Sequence, residues 1–421
     1  MSALINENDI VKQHSELIKI LRLYPSLDKT KIAEKLGVST PTVYKFLDEL
    51  RKKEIINEDL SINPVWGTFV GISIGTSLCK VAFLHFDFSQ YTINDFETYK
   101  TEMYCMMGDD DSDSGNYVCF ETPNSFSDLK YRLNSIFAVI QKHIDAGDLK
   151  IISVGISSTG TVDERVRKIC QAHNLSYLNG RTIDQMLFDD MEKYFDNKGI
   201  PLFFVQNSKA SVIAETFNLY DNNIDPDLQI KKNIVALYFE FGVGAGFVIN
   251  GKLYDGNGYA GEIGHIPASI DMQKYKETDS TQKNCTCGSS VCIDHIIRSC
   301  VFDDLLPNFH SSDFRNMSSD DISSFLNDNP GRAECLGDVL GYIVKLLANV
   351  LNIDLVIFTG KLYKSEQVLK KYIQKTMDEN NLEFNRNDCR IRTSKIGTLA
   401  PAIGAAIYSY YKKCNIELEW T

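Results

Sequence analysis

Long apolar segments are absent from this chain. None of its 421 residues belongs to a run of about 18 apolar side chains, the length needed to cross a bilayer. Residues 1–7 also lack the basic and apolar regions of a secretory signal peptide. These absences predict a cytoplasmic protein that does not insert into a membrane.

An excess of basic residues is absent as well. Lys and Arg number 44 against 56 Asp and Glu, which leaves a net charge of −12. General polyanion binding is therefore disfavoured, because affinity for nucleic acids depends on Lys and Arg that neutralise phosphates. Residues 1–61 differ from the rest, since they hold ten Lys and Arg and ten Asp and Glu. A local DNA-binding face is compatible with this N-terminal part.

Disulfides are not expected, although the chain has 11 cysteines. A cytoplasmic compartment keeps thiols reduced, so scattered cysteines are most often buried thiols and a tight cluster is most often a metal site. Cys285, Cys287 and Cys292 form such a cluster, whereas the others are scattered.

The chain does have the material for a large folded core. Hydrophobic residues make up 43% of it and charged residues 24%, and its length favours two or three domains. From Val65 onward, apolar runs with glycines, such as 67–75 and 150–156, alternate with amphipathic segments. This alternation is typical of α/β domains.

The N-terminal part shows helical spacing instead. Apolar positions over residues 9–24 lie on one helical face and predict a first helix. Asp28 suits the N-cap of a second helix, and Gly37 suits its C-terminal end. Thr40 suits the N-cap of a third helix, with Pro41 at its first position. The pattern predicts a helix-turn-helix.

The last of these helices would be the one that contacts DNA. In a helix-turn-helix, the second helix projects its N-terminal side chains into the major groove. Those side chains are Thr40, Thr42, Tyr44 and Lys45 here, which we predict as DNA-binding residues. The alternative is a three-helix bundle used for dimerisation. Few residues follow before Pro64, so any β-hairpin wing would be very short.

One histidine and three cysteines have the composition of a zinc site. His265 is followed by Cys285, Cys287 and Cys292, which offers one imidazole and three thiolates on a glycine-containing loop. This donor set matches tetrahedral structural zinc, which leaves no open coordination position. The alternative is three buried thiols that are close by coincidence.

At these residues the chain resembles the ROK family of bacterial sugar kinases and repressors. The family signature is Glu-x-Gly-His followed by Cys-x-Cys-Gly-x-x-Gly-Cys-x-Glu, and segments 262–265 and 285–294 look like it. Val291 replaces the second glycine and Asp294 the final glutamate. Segments 155–163, 174–177 and 242–246 resemble, in turn, a Gly-x-x-x-Pro-Gly-x-Val-Asp segment, the sugar-side loop and the second phosphate loop of the family.

The resemblance runs from about residue 10 to about residue 410 and implies an architecture. It implies a (winged) helix-turn-helix over 1–64, followed by two lobes of the actin-like, ribonuclease-H-like ATPase fold. The first lobe would comprise 65–204 with 396–421, and the second 205–395. The resemblance also implies a sugar site lined by Asn207, Glu262, His265 and Asp294. In the alternative interpretation, Glu262 caps a local turn and His265 only binds zinc.

The residues that phosphoryl transfer needs are replaced. The family's catalytic base is the aspartate of an Asn-Asp pair, and Ser208 stands in its place; Ser73 replaces the aspartate of the first phosphate motif. Glu240 and Phe241 replace the Gly-Thr of the second phosphate loop, where a glutamate would repel ATP. The chain is therefore not expected to be an enzyme.

Together these features predict a sugar-responsive, DNA-binding transcriptional regulator, most simply a repressor of carbohydrate metabolism. Its partners would be operator DNA, a small sugar and a second copy of itself, as a homodimer or tetramer. Two alternatives are a kinase with residual ATP-dependent activity, and a regulator controlled by a protein partner, such as a phosphotransferase-system component, instead of a sugar.

Overall fold

The computed structural model describes residues 7–107, 116–221, 232–268, 285, 287–289, 291–302, 317–380 and 389–420. It begins with four helices: α1 (Glu7–Gln13), α2 (Ser15–Leu23), α3 (Lys29–Leu36) and α4 (Thr40–Lys52). The single helix expected over 9–24 is wrong in one respect, because it breaks at His14. The buried ring of His14 bonds to Glu49 of α4 through Nε2, at 2.9 Å, so the break between α1 and α2 lies at a residue with a long-range contact.

The helix-turn-helix consists of α3 and α4. The carboxylate of Asp28 accepts the N–H of Lys31 at 2.9 Å, and Gly37 ends α3 in the left-handed region at φ 66°, as expected. The N-cap of α4 is Ser39 and not Thr40, because the Ser39 hydroxyl accepts the N–H of Thr42. The expected cap is therefore wrong by one position.

A very short hairpin follows α4. Ile56 and Ile62 form an isolated antiparallel bridge, and the N–H of Asn57 donates to the carbonyl of Ser61 at 2.8 Å. Leu60 turns the chain with a φ of 72°. The hairpin has the small size that the sequence predicts for a wing.

The first of two five-stranded sheets has the order β3-β2-β1-β4-β7. Strand β2 runs antiparallel to both β1 and β3, whereas β1, β4 and β7 run parallel to one another. Its strands are β1 (Thr68–Ile74), β2 (Leu78–His85), β3 (Val118–Glu121), β4 (Ile151–Ser158) and β7 (Leu202–Gln206). With it go a small pair, β5 (Thr161–Asp163) and β6 (Lys168–Gln171), and helices α5 (Ile93–Met107), α6 (Phe126–Ala146), α7 (Ile183–Met186) and α8 (Asp189–Asn197).

The second sheet repeats this plan with the order β10-β9-β8-β11-β12. Its strands are β8 (Ile234–Phe239), β9 (Val243–Ile249), β10 (Lys252–Tyr254), β11 (Leu355–Gly360) and β12 (Arg390–Thr393). The remaining helices are α9 (Asn207–Asp221), α10 (Ile293–Phe302), α11 (Ser319–Asp328), α12 (Pro330–Leu351), α13 (Glu366–Asn380) and α14 (Ala400–Cys414). Two sheets with the same order and strand directions confirm the expected pair of actin-like lobes.

Helices α9 and α14 pack against each other at very close range. A Cβ atom at Gly404 of α14 would lie 1.7 Å from the carbonyl oxygen of Ala210 on α9. Glycine is therefore required at this crossing. One apolar cluster joins both helices to α2, α3 and α4, so the N-terminal helices share a core with the body.

Cys335 corrects the expectation that the scattered cysteines are thiols, because it is disulfide-bonded. Disulfide formation depends on the distance and direction of two Cβ atoms, which sequence spacing does not give. Cys79 and Cys414 are buried free thiols as expected. Within the described ranges, every helix is too short or too polar to cross a bilayer.

Candidate functional site

A cleft lies where β1, β4, β7 and β8 end. The carboxyl ends of parallel strands meet at one edge of a sheet, which is where α/β proteins place ligands. All four residues that the family resemblance assigns to the sugar line this cleft: Asn207, Glu262, His265 and Asp294. Ser208 and Glu240 line it too.

The junction between β7 and α9 carries three polar side chains into the cleft. Asn207 donates from Nδ2 to the carbonyl of Ile74 at 3.0 Å, whereas its buried Oδ1 has no hydrogen-bond partner among the described residues. Gln206 donates from Nε2 to Oε1 of Glu262 at 2.6 Å. A buried acceptor without a partner costs free energy, so Asn207 Oδ1 is suited to a ligand hydroxyl.

Glu262 faces the cleft and does not cap the turn that follows it. It precedes a 3₁₀ turn over Ile263–His265, yet its side chain accepts no capping hydrogen bond there. Burial raises the pKa of Glu262, and the negative charge of Asp294 acts in the same direction. The interpretation of Glu262 as a local cap is therefore wrong.

Asp294 lies in the first turn of α10, where two glycines make room for it. Its Oδ1 accepts the N–H of Val243 at 2.9 Å. A Cβ atom at Gly242 would lie 2.5 Å from Oδ2, and one at Gly264 would lie 2.2 Å from Oδ1. The carboxylate that replaces the family's glutamate is thus held against the backbone of the β8–β9 turn.

The candidate metal ligands come together as the sequence predicts. One donor atom from each of His265, Cys285, Cys287 and Cys292 lies within 4.8 Å of the others. Bond lengths of about 2.0–2.3 Å place the ligands of tetrahedral zinc roughly 3.5–3.8 Å apart, so a small contraction brings this set into range. His265 Nδ1 lies 3.6 Å from Cys285 Sγ, and its Nε2 lies 3.9 Å from Glu262 Oε2. The ring therefore joins the cluster to the cleft.

The other end of the cleft lacks the carboxylates of a kinase. Ser73 is the next-to-last residue of β1, and Ser208 follows Asn207, the first residue of α9; both serines are buried. The Ser208 hydroxyl has no hydrogen-bond partner in the described part of the chain. Neither side chain can take a proton from an attacking hydroxyl at neutral pH.

The expected DNA-binding residues lie away from the cleft, on α4. Tyr44 is 52% exposed and Lys45 is exposed, whereas Thr40 and Thr42 are half-buried. Lys29 Nζ lies 4.5 Å above the ring of Tyr44. Tyr44 and Lys45 are therefore the two of the four that are most open to solvent.

Two cleft residues were not predicted from the sequence. Gln206 orients Glu262, and the ring of His173 lies 4.8 Å from that of His265. A signal existed for both, because Gln206 directly precedes Asn207 and His173 directly precedes Asn174 of the expected sugar-side loop.

Comparison with known proteins identifies a family and similar proteins that cover most of the chain. The family model of the ROK family matches residues 100–410. A xylose repressor of Bacillus subtilis (strain 168) is 23% identical over 413 residues, covering 94% of this chain and 93% of that protein. A xylose repressor of Staphylococcus xylosus is 22% identical over 282 residues, or 62% of this chain, and that match spans 60% of the repressor's own length.

A solved structure shares the fold over nearly the whole chain. It is a ROK family transcriptional regulator, described as a homolog of the MLC protein of E. coli. The TM-score is 0.67 at 17% identity, with 96% of this chain and 98% of that chain covered. The likeness shows that helix-turn-helix and lobes are arranged on a common plan.

Proposed function

The chain belongs to the ROK family, and we propose on this premise that it is a sugar-responsive, DNA-binding transcriptional repressor of carbohydrate metabolism with an inactive kinase body. One observation carries the proposal. A single cleft gathers four polar groups suited to sugar hydroxyls, yet has Ser208 where a kinase needs its base. The full-length likeness to a xylose repressor supports it.

A small free sugar is the effector that this cleft suits. Asn207 Oδ1 is a buried acceptor without a partner, and Glu262 and Asp294 supply carboxylates on the facing loops. Sugar hydroxyls both donate and accept, and charge-assisted hydrogen bonds to carboxylates are the stronger kind. His265 completes the set through Nε2, with xylose as the first sugar to test.

Zinc has a structural role in this proposal. His265 binds it through Nδ1, and Cys285, Cys287 and Cys292 supply the other ligands. Four protein ligands leave no open position for catalysis. The ion fixes the loop that leads into Asp294 and orients the His265 ring beside Glu262. Histidines that bind zinc commonly have a carboxylate beside their second ring nitrogen.

The proposed function does not include phosphoryl transfer. Loss of a general base alone costs about 10²- to 10⁴-fold in rate. Ser208 and Ser73 remove two carboxylates from the phosphate end, so this cost applies before binding of ATP is considered.

Operator DNA is bound by the unit comprising residues 1–64. The exposed side of α4, with Thr40, Thr42, Tyr44 and Lys45, enters the major groove. The lobes comprise 65–204 with 396–421, and 205–395. Two such chains in a homodimer, or in a tetramer built from dimers, read half-sites about 34 Å apart.

Helix α9 connects the cleft to the DNA-binding unit. It begins at Asn207 in the cleft and contacts α2 farther along. Near this contact, the ring of Phe217 on α9 lies 5.0 Å from the ring of Phe88, which follows β2. Arg22 of α2 is buried beside Phe88 and Tyr410, with its Cζ 3.9 and 4.4 Å from their ring centroids. A sugar that closes the cleft shifts α9 and spoils the spacing of the recognition helices, provided that it binds the two states with different affinity.

Thermal unfolding of the zinc-loaded protein with a panel of sugars, sugar phosphates and ATP tests the proposal. Ligands that bind the folded state raise its midpoint. We expect one free sugar to raise it and ATP to leave it unchanged. The same sugar should release the protein from DNA selected out of a random pool, measured by fluorescence anisotropy.

Two results would contradict this function. ATP consumption with a sugar of the panel would show a kinase. DNA binding that ignores every sugar, but changes with a phosphotransferase-system protein, would show a regulator controlled by a protein partner.

A further inference from the structure

The carboxylate of Glu240 crosses the cleft from one lobe to the other. Glu240 directly follows β8 of the second sheet, whereas Ser77 lies in the turn between β1 and β2 of the first. The backbone N–H of Ser77 donates to Oε1 of Glu240 at 3.1 Å. The hydrogen bond therefore ties a turn of the first lobe to a strand end of the second.

The turn between β1 and β2 is shaped to receive this carboxylate. A Cβ atom at Gly75 would lie 2.6 Å from Oε1 and 3.1 Å from Oε2 of Glu240, and 2.6 Å from the carbonyl oxygen of Leu78 in the same turn. Gly75 does not have a positive φ, so glycine is needed there for space and not for backbone conformation. The contact is thus packed on the turn and is not a chance approach of a surface side chain.

Glu240 is held by hydrogen bonds and not by an ion pair. Its second oxygen, Oε2, accepts from the hydroxyl of Tyr238 at 3.3 Å. The side chain is buried, and across the ranges that the structure describes no Lys, Arg or His pairs with it. A buried carboxylate needs such donors, because it loses its hydration on burial.

Backbone N–H groups in a glycine-containing turn are general anion-binding groups. A phosphate that entered this end of the cleft would need the N–H of Ser77 and the space above Gly75, and Glu240 occupies both. We propose that Glu240 is a built-in anion: it fills the site for a phosphate group and holds the two lobes together without one. The inference deepens the proposed function, on which it rests, by explaining how a sugar alone can act as effector in this cleft.

Binding of inorganic tripolyphosphate, measured by calorimetry on the full-length zinc-loaded protein, tests the first half of the inference. The wild type should show no binding in the millimolar range. Glu240→Gly removes the competing anion and should bind at least about tenfold more tightly. Glu240→Gln keeps an acceptor for Ser77 but loses the charge, so it should fall between the two. Glu379→Gln, on the exposed C-terminal end of α13, is the matched control and should behave as the wild type.

Small-angle X-ray scattering without sugar, DNA or nucleotide tests the second half. Glu240→Gly should have a larger radius of gyration than the wild type, because the tie between the lobes is lost. Gly75→Ala should also expand the protein, because its methyl group meets both Glu240 and the carbonyl of Leu78. It should not gain tripolyphosphate binding, since that methyl group fills the anion position. Glu240→Gln should stay as compact as the wild type.

The inference is overturned if Glu240→Gly binds tripolyphosphate no better than the wild type, or if its lobes stay as close as before. Zinc content and circular dichroism establish that each variant is folded. If Glu240→Gly does not fold, Glu240→Gln decides the question: unchanged tripolyphosphate binding in that variant also overturns the inference. Neither measurement involves sugar or DNA, so a failure of the proposed function leaves these results intact and distinguishable.

Discussion

The two ends of the cleft differ in how their side chains compare with the family signature. At the sugar end, Asn207, Glu262 and Asp294 remain polar and converge on one space. At the phosphate end, Ser73 and Ser208 stand where the family resemblance implies carboxylates, and Glu240 brings a carboxylate where none is expected. The polar groups that we propose for sugar recognition lie at one end, and serines stand at two positions that phosphoryl transfer would use at the other.

Two glycines of the cleft show why the fold is compatible with these different side chains. Gly75, in the turn that receives Glu240, and Gly242, in the loop that packs on Asp294, both make room for a carboxylate. Their close approaches serve packing, so they are compatible with either chemistry. Fold and function are separable here, because the function depends on a few side chains placed on a common scaffold.

The strongest test of the sugar end removes its metal. Cys287→Ala should abolish zinc binding and lower sugar affinity by more than about 100-fold, because structural zinc stabilises its loop by many kcal/mol. Zinc content by atomic emission and sugar affinity by calorimetry measure both effects. Cys105→Ala is the matched control, since Cys105 is also exposed and lies on α5, outside the cluster. A normal sugar response in Cys287→Ala would separate zinc from sugar binding and contradict the proposal.

A smaller effect is expected from the carboxylate that this loop positions. Asp294→Asn keeps the shape of the side chain but weakens its hydrogen bond to Val243 and to any sugar hydroxyl. Charge-assisted hydrogen bonds contribute about 1.5–3 kcal/mol, so sugar affinity should fall roughly 10- to 100-fold. Ser73→Ala, at the phosphate end, should change it by less than about threefold. Equal losses in both variants would erase the distinction between the two ends.

How far the sequence predicts these features depends on the distance over which they act. The clustering of the three cysteines and the caps of α3 were predictable, because they follow local spacing around Cys285–Cys292 and Asp28–Gly37. The break at His14 depends on Glu49, far along the chain, and the disulfide of Cys335 depends on geometry. The hydrogen bond between Glu240 and Ser77 joins the two lobes. The sequence indicates a negative charge at Glu240, but it does not indicate that the backbone N–H of Ser77 donates to this carboxylate.

Another buried carboxylate, that of Glu215, lies on α9 outside the set of residues that line the cleft. We expect it to affect the stability of the fold and not ligand binding. It is buried and accepts a hydrogen bond from Ser394. Burial raises its pKa from 4.5 to about 7, and the bond from Ser394 opposes the shift. Because the folded state holds this proton more tightly, stability should fall as pH rises from about 4.5 to about 7, by roughly 3 kcal/mol.

The measurement is denaturant unfolding of the wild type and of Glu215→Gln at pH 5 and pH 8. The difference between the two proteins isolates Glu215, since every other ionisable group is present in both. Glu215→Gln should lose less stability than the wild type over this range. A parallel pH dependence of the two proteins would show that Glu215 ionises normally in the folded state.

The smallest effect is expected at Ser208, beside a residue where the effect is large. Asn207 and Ser208 are adjacent at the start of α9, but Asn207 bonds to Ile74 and offers Oδ1 to the sugar, whereas the Ser208 hydroxyl has no partner in the described part of the chain. Asn207→Ala should therefore weaken sugar binding about tenfold. Ser208→Ala removes a buried hydroxyl that makes no hydrogen bond, so stability should change by less than about 1 kcal/mol and sugar affinity by less than about threefold. If Ser208→Ala weakens sugar binding as much as Asn207→Ala does, the boundary between the two ends of the cleft does not lie between these neighbouring residues, and the base position has kept a role in recognition.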